Sequence, residues 1–162
     1  MSRTPEARLQ HSVEIEIPFH DVDMMEVAWH GHYVKYFEIA RCALLDQFDY
    51  NYPQMRDSGY AWPVIDLHLR YARPARFGQR VTVTATVREW ENRLKISYLI
   101  RDQEGVRLTR GHSIQVAVDV ASGEMLYASP PVLLERLGVS ACLLYTSPSP
   151  RDLSTSRMPS SA

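Results

Sequence analysis

Residues 19–48 read FHDVDMMEVAWHGHYVKYFEIARCALLDQF, and the change of pattern inside this stretch decides the fold. Its first half, Phe19 to Tyr33, crowds two aspartates, one glutamate and three histidines into a segment without a clear period. From Gly31 to Phe48 the spacing turns helical. Placed at 100° per residue, Tyr33, Tyr36, Phe37, Ile39, Ala40, Ala43, Leu44 and Phe48 fall on one arc. Lys35, Glu38, Arg41 and Asp46 share the other side with Val34, Cys42 and Leu45. The apolar arc spans about half the circumference, wider than a surface helix needs, so a sheet is expected to wrap this helix.

The rest of the chain supplies that sheet. Val13, Ile15 and Ile17 alternate with Ser12, Glu14 and Glu16, the two-residue period of a half-buried strand. Ile65, Leu67, Leu69 and Tyr71 alternate with Asp66, His68 and Arg70, and VTVTATV from Val81 to Val87 puts three threonines opposite its apolar residues. Leu94, Ile96, Tyr98 and Ile100 continue the pattern, as do Ile114, Val116 and Val118. Glu91-Asn92 and Glu104-Gly105 fall where hairpin turns are needed. A short helical turn is expected over YPQMRDSGY, with Pro53 near its start and Gly59 at its end. Gly78 marks a turn into the next strand.

At 162 residues there is room for one domain with a sizeable core. The net charge of -1 gives no electrostatic footprint for nucleic acid, and no run of about 20 apolar residues spans a bilayer. Cys42 and Cys142 fit no disulfide framework. The N-terminal stretch lacks the apolar core of a signal peptide, so a cytoplasmic protein is expected. Residues 140–162 hold seven serines and three prolines without periodicity. They are expected to form a disordered tail after a domain at residues 1–139. The tail also resembles translated sequencing-adaptor read-through, which would make it non-native.

In this element order Phe19, Asp21, Asp23, Val27, Trp29, His30 and Tyr33 resemble the opening motif of one thioesterase family. That family comprises the 4-hydroxybenzoyl-CoA thioesterases and the Tol-Pal-associated acyl-CoA thioesterases. Glu38 and Arg41 match its helix, and RYARPARFGQRVTV matches the bend before its third strand. The resemblance covers roughly residues 12–138 and implies an α+β hot-dog fold, a five-stranded antiparallel sheet around one long helix. It also implies hydrolysis of an acyl-CoA or acyl-carrier-protein thioester by a homodimer or homotetramer, without metal or other cofactor. The chain departs from the family at Glu26, where a glycine is usual, and at His32, where asparagine is common.

The resemblance assigns Asp23 as nucleophile or general base, since a carboxylate can attack a thioester carbonyl or activate water. Asp21 is read as an organiser of the loop. Glu26 is either a second carboxylate acting on Asp23 or a solvent-facing spectator. His30 is a candidate for positioning substrate or protonating the leaving thiolate. The backbone N–H groups of Trp29 and His30, at the helix start, are candidate oxyanion donors. Tyr33, Trp29 and Arg93 are candidate substrate-binding residues. His30 and His32 lack the i, i+4 spacing of helical zinc motifs, so no metal is expected. The missing glycine keeps open an alternative, a catalytically weak hot-dog protein that binds acyl chains or a carrier protein.

Overall fold

The computed structural model describes residues 9–140; all of the expected tail except Ser140 lies outside the described residues. Strand β1 (Gln10–Glu16) leads through two 3-10 turns, Phe19–Asp21 and His30–His32, into helix α1 (Tyr33–Asp46). Helix α2 (Tyr52–Asp57) and strands β2 (Tyr60–Ala61), β3 (Val64–Tyr71), β4 (Arg80–Glu89) and β5 (Leu94–Arg101) follow. Strands β6 (Arg107–Gln115) and β7 (Val118–Asp119) and helix α3 (Pro131–Leu137) complete the described chain. Five strands form one antiparallel sheet in the order β1-β4-β5-β6-β3, while β2 and β7 pair separately. This is the expected α+β hot-dog architecture.

The two-residue period builds the inner face. Val81, Val83, Ala85 and Val87 of β4 are buried, as are Leu94, Ile96, Tyr98 and Ile100 of β5. Helix α1 packs against β1 and β4 and buries Tyr33, Tyr36, Phe37, Ala40 and Leu44. Phe37 also stacks on Tyr98, with ring centroids 4.4 Å apart. Asn51 closes a capping box with Gln54 at the start of α2. Gly59, Gly78 and Gly105 all take positive φ at the expected turns.

Four expectations change. Ile39 is exposed and Leu45 is buried, because the segment carrying Met55 and Trp62 folds back beside Leu45. The last strand begins earlier than Ile114: RLTRGHSIQ forms β6, and Val118 belongs to β7. Helix α3, bounded by Pro131 and by Gly138 at φ 71°, was not anticipated; it buries Leu133 and Leu137. The apolar side of β3 is not half-buried either. This strand lies at the sheet edge away from α1, and Ile65, Leu67 and Tyr71 stay 54%, 38% and 47% exposed. Among the described residues no helix is long and apolar enough to cross a membrane.

Where β6 runs between β5 and β3, Gly111 lets two layers meet. A Cβ there would collide with the His68 carbonyl oxygen of β3 and with the Phe37 ring of α1. Gly111→Ala is therefore expected to destabilise the fold by about 1–3 kcal/mol, the usual range for overpacking. Urea denaturation measures it, and a change below a few tenths of a kcal/mol would contradict this packing.

Candidate active site

The site is assembled around a buried carboxylate. Asp21 ends the first 3-10 turn and is 1% exposed. Its Oδ1 accepts a hydrogen bond from Lys35 Nζ at 2.7 Å, and its Oδ2 accepts one from the Tyr36 hydroxyl at 2.8 Å. Burial alone would raise its pKa, but the bonds from Lys35 and Tyr36 outweigh that and hold it below the usual carboxylate value. Burial and the bond to Asp21 push the Tyr36 phenol up. The Asp21 backbone carbonyl accepts the Trp29 N–H at 3.0 Å. One residue thus ties the loop to the first turn of α1, as an organiser should.

Between Asp21 and Trp29 the chain makes a tight hairpin-like loop. The Glu26 N–H donates to the Asp23 carbonyl at 2.9 Å, and the Asp23 N–H donates to the Val27 carbonyl at 3.0 Å. Glu26 closes this turn with φ 61°, the left-handed conformation that glycine adopts without strain. The neighbouring bend holds the loop from outside: Ala28 N–H donates to Ala75 O at 2.6 Å, and Phe77 N–H to Glu26 O at 3.0 Å. Glu26 therefore reproduces the backbone shape expected of the family's glycine. Its side chain is exposed and does not line the cleft described next.

Asp23, Val27, His30, Tyr33, Tyr71 and Arg73 are among the residues lining a cleft of about 310 Å³. Asp23 Oδ1 accepts the Met25 N–H at 2.8 Å, which fixes the side chain in the turn. Its Oδ2 has no hydrogen-bond partner among the described residues. Tyr33 is buried beneath the cleft, and its hydroxyl accepts the Ala75 N–H at 2.9 Å. Burial raises the Tyr33 pKa, so this phenol stays neutral. At the start of the second 3-10 turn, the His30 and Gly31 N–H groups have no acceptor among the described residues.

Three expected site groups are not brought to the cleft. The Trp29 N–H is not a free oxyanion donor, because Asp21 O accepts it. The half-exposed Trp29 indole lies over Gly31, with its ring 4.8 Å from the His30 ring, and does not line the cleft. Arg93 lies away from the cleft and is committed to Glu89, with Nε 2.8 Å from Oε1 and Nη2 3.3 Å from Oε2. Tyr71 was missed as a site residue. Its hydroxyl donates to the His30 carbonyl at 2.8 Å, and its ring packs edge-on against Tyr33 at 5.1 Å. The signal for it was the RYARPARFGQR bend, which brings Tyr71 to Pro74 beside Asp23. Among the described residues, no three His, Cys, Asp or Glu side chains converge as metal ligands.

Residues 17–148 match the family described as the thioesterase-like superfamily. The chain belongs to that superfamily. A Synechocystis sp. protein provisionally named an esterase is 28% identical over 132 residues, covering 77% of this chain and 76% of that protein. A Bacillus subtilis protein provisionally named an acyl-CoA thioesterase is 29% identical over 101 residues, covering 62% of this chain and 64% of that protein. Among solved structures, DHNA-CoA thioesterase from Staphylococcus aureus superposes with a TM-score of 0.67 at 25% identity. That match covers 73% of this chain and 80% of the other.

Two outcomes follow for this thioesterase-family enzyme. Glu26→Gly relieves a left-handed side-chain-bearing residue and is expected to stabilise the fold by about 1 kcal/mol. Thermal unfolding reads this directly, and a lowered Tm would refute the strain. Asp21 has a depressed pKa when folded, so its contribution is complete above its unfolded pKa and is lost as pH falls through its folded pKa. Stability should accordingly decline from roughly pH 4 downward. Asp21→Ala should flatten that part of the profile and cost about 1–3 kcal/mol at pH 7, since the Tyr36 hydroxyl loses its acceptor. Parallel acid denaturation curves for variant and parent would contradict this account.

Proposed function

We propose that this protein hydrolyses acyl-CoA thioesters, in the manner of the 4-hydroxybenzoyl-CoA and Tol-Pal-associated branch. The observation that carries the reading is the shared cleft. Asp23, with one carboxylate oxygen unbonded, lines it together with His30 and Tyr33 at the start of α1. Asp23 attacks the thioester carbonyl, or takes a proton from water that attacks it. On either route the elements of water end on the two products, the C–S bond breaks, and the sulfur leaves as a thiol. His30 is placed to supply the thiolate's proton. The His30 and Gly31 N–H groups stabilise the oxyanion, where one donor is typically worth two to three orders of magnitude in rate. Loss of the glycine before Val27 no longer favours a mere acyl binder, since Glu26 keeps the loop's left-handed turn.

The working unit is a homodimer in the cytoplasm. Val64, Ile65, Leu67 and Tyr71 expose apolar side chains on β3, whose outer edge pairs with no strand among the described residues and which a second copy would cover. Tyr71 belongs to the cleft as well, so that contact lies next to the chemistry.

Asp23→Asn is expected to reduce turnover of a panel of acyl-CoAs by at least about a hundredfold, in line with loss of a catalytic base. The variant should keep its fold and sediment at twice the monomer mass. Wild-type turnover in Asp23→Asn would sink the assignment, and a monomeric parent would sink the dimer.

A further inference from the structure

The sheet face turned away from α1 carries a feature that the net charge conceals. Arg70, Arg88, Arg101, Arg107 and Arg110 line a groove of about 640 Å³ there, and no aspartate or glutamate lines it. None of the five forms an ion pair among the described residues; Arg88 donates only to Ser97 Oγ, at 2.8 Å. The strand register makes the crowding severe. Arg70 on β3 stands directly opposite Arg110 on β6, and Arg101 on β5 opposite Arg107 on β6. Like charges placed directly across a ladder destabilise a sheet. Two such pairs without a neutralising carboxylate point to an anion from outside the chain.

The shape of the recess indicates which anion. The groove merges with a smaller pocket of about 250 Å³ through Arg70, Leu99, Arg107 and Arg110. Ala72 lines that smaller pocket and also the Asp23 cleft, so the two recesses adjoin at the end of β3. Arg73, also in no ion pair, lines the cleft beside Ala72. Beyond Arg70, the His68 and His112 rings stack at 5.4 Å with planes only 10° apart, offering a flat surface beside the cations. The recess has the dimensions of a small-ligand site, whereas a protein partner would use a broader patch. Arginine's planar fork suits phosphate oxygens.

We propose that Arg70, Arg107 and Arg110 bind the phosphorylated nucleotide end of the acyl-CoA substrate on the outer sheet face, with the pantetheine arm passing Ala72 to reach Asp23. This rests on the thioesterase reading above. It puts these arginines in the place of Arg93 as the basic substrate-binding residues and makes the nucleotide, not a carrier protein, the handle by which substrate is selected.

Two measurements test it with Arg70→Gln, Arg110→Gln and the double variant. Calorimetry with adenosine 3′,5′-bisphosphate should show binding to the parent and about tenfold weaker binding per arginine lost, the usual worth of a charge-assisted hydrogen bond. In kinetics, the kcat/KM ratio of an acyl-CoA to the same acyl group on N-acetylcysteamine, which lacks the nucleotide, should fall by a similar factor. Relief of the cross-strand repulsion should also raise the Tm of Arg110→Gln, the opposite of what a merely structural arginine would do. The proposal is overturned if the parent does not bind the bisphosphate, or if both substrates lose equally. A loss confined to carrier-protein thioesters would overturn it too. A parent inactive on both thioesters would refute the thioesterase reading alone, and the calorimetry would still decide the groove.

Discussion

The site depends on the bonds made by Asp21. A carboxylate this buried is tolerable only if both oxygens are bonded, and here Lys35 and Tyr36 of α1 serve one oxygen each. The same residue's carbonyl holds the Trp29 N–H, so the loop that leaves Asp21 must return to the helix it has just anchored. Asp23 sits inside the closed stretch, and its freedom is reduced again by the Met25 N–H. The neutral, hydrogen-bonded Tyr33 supports the floor of the cleft from the same helix turn. The Asp23 side chain is exposed, yet its backbone N–H and carbonyl are both hydrogen-bonded, to Val27 and Glu26.

A second constraint is where α1 lies under the sheet. Packing against β1 and β4, it leaves the apolar side of β3 uncovered. The same edge strand turns Arg70 outward and Tyr71 toward the cleft, because successive strand residues point to opposite faces. One strand therefore serves an apolar edge, the Asp23 cleft and a basic groove, and the bend that follows it straps the Asp23 loop in place.

Some residues were readable without coordinates. The alternation in β4 and β5 and the 3.6-residue spacing of α1 identified most of the core, since both periods arise from local backbone geometry. Ile39 and Leu45 exchanged places because burial on a helix flank depends on which distant segment returns there. Trp29 was read as an oxyanion donor from its position at the helix start, but a backbone N–H is free only if no carbonyl folds back onto it. Arg93 was read as a substrate-binding residue, but Glu89 lies within reach across the hairpin and takes its guanidinium. The basic groove was invisible in the total charge, which sums over opposite faces.

By itself the sequence determined the class of fold, the α1 core stripe and the loop that carries Asp21 and Asp23. These follow from periodicity and from residue chemistry within a single segment. The tertiary structure alone supplied the partners, Lys35 and Tyr36, that commit the Asp21 carboxylate to architecture. It also decided that Glu26 serves through its backbone, and that Tyr71 and Ala72 join the cleft. Those outcomes rest on contacts between residues tens of positions apart, as between His30 and Tyr71 or Arg70 and Arg110. Hydrogen bonding and charge are settled by which groups meet in space, and no local pattern encodes that.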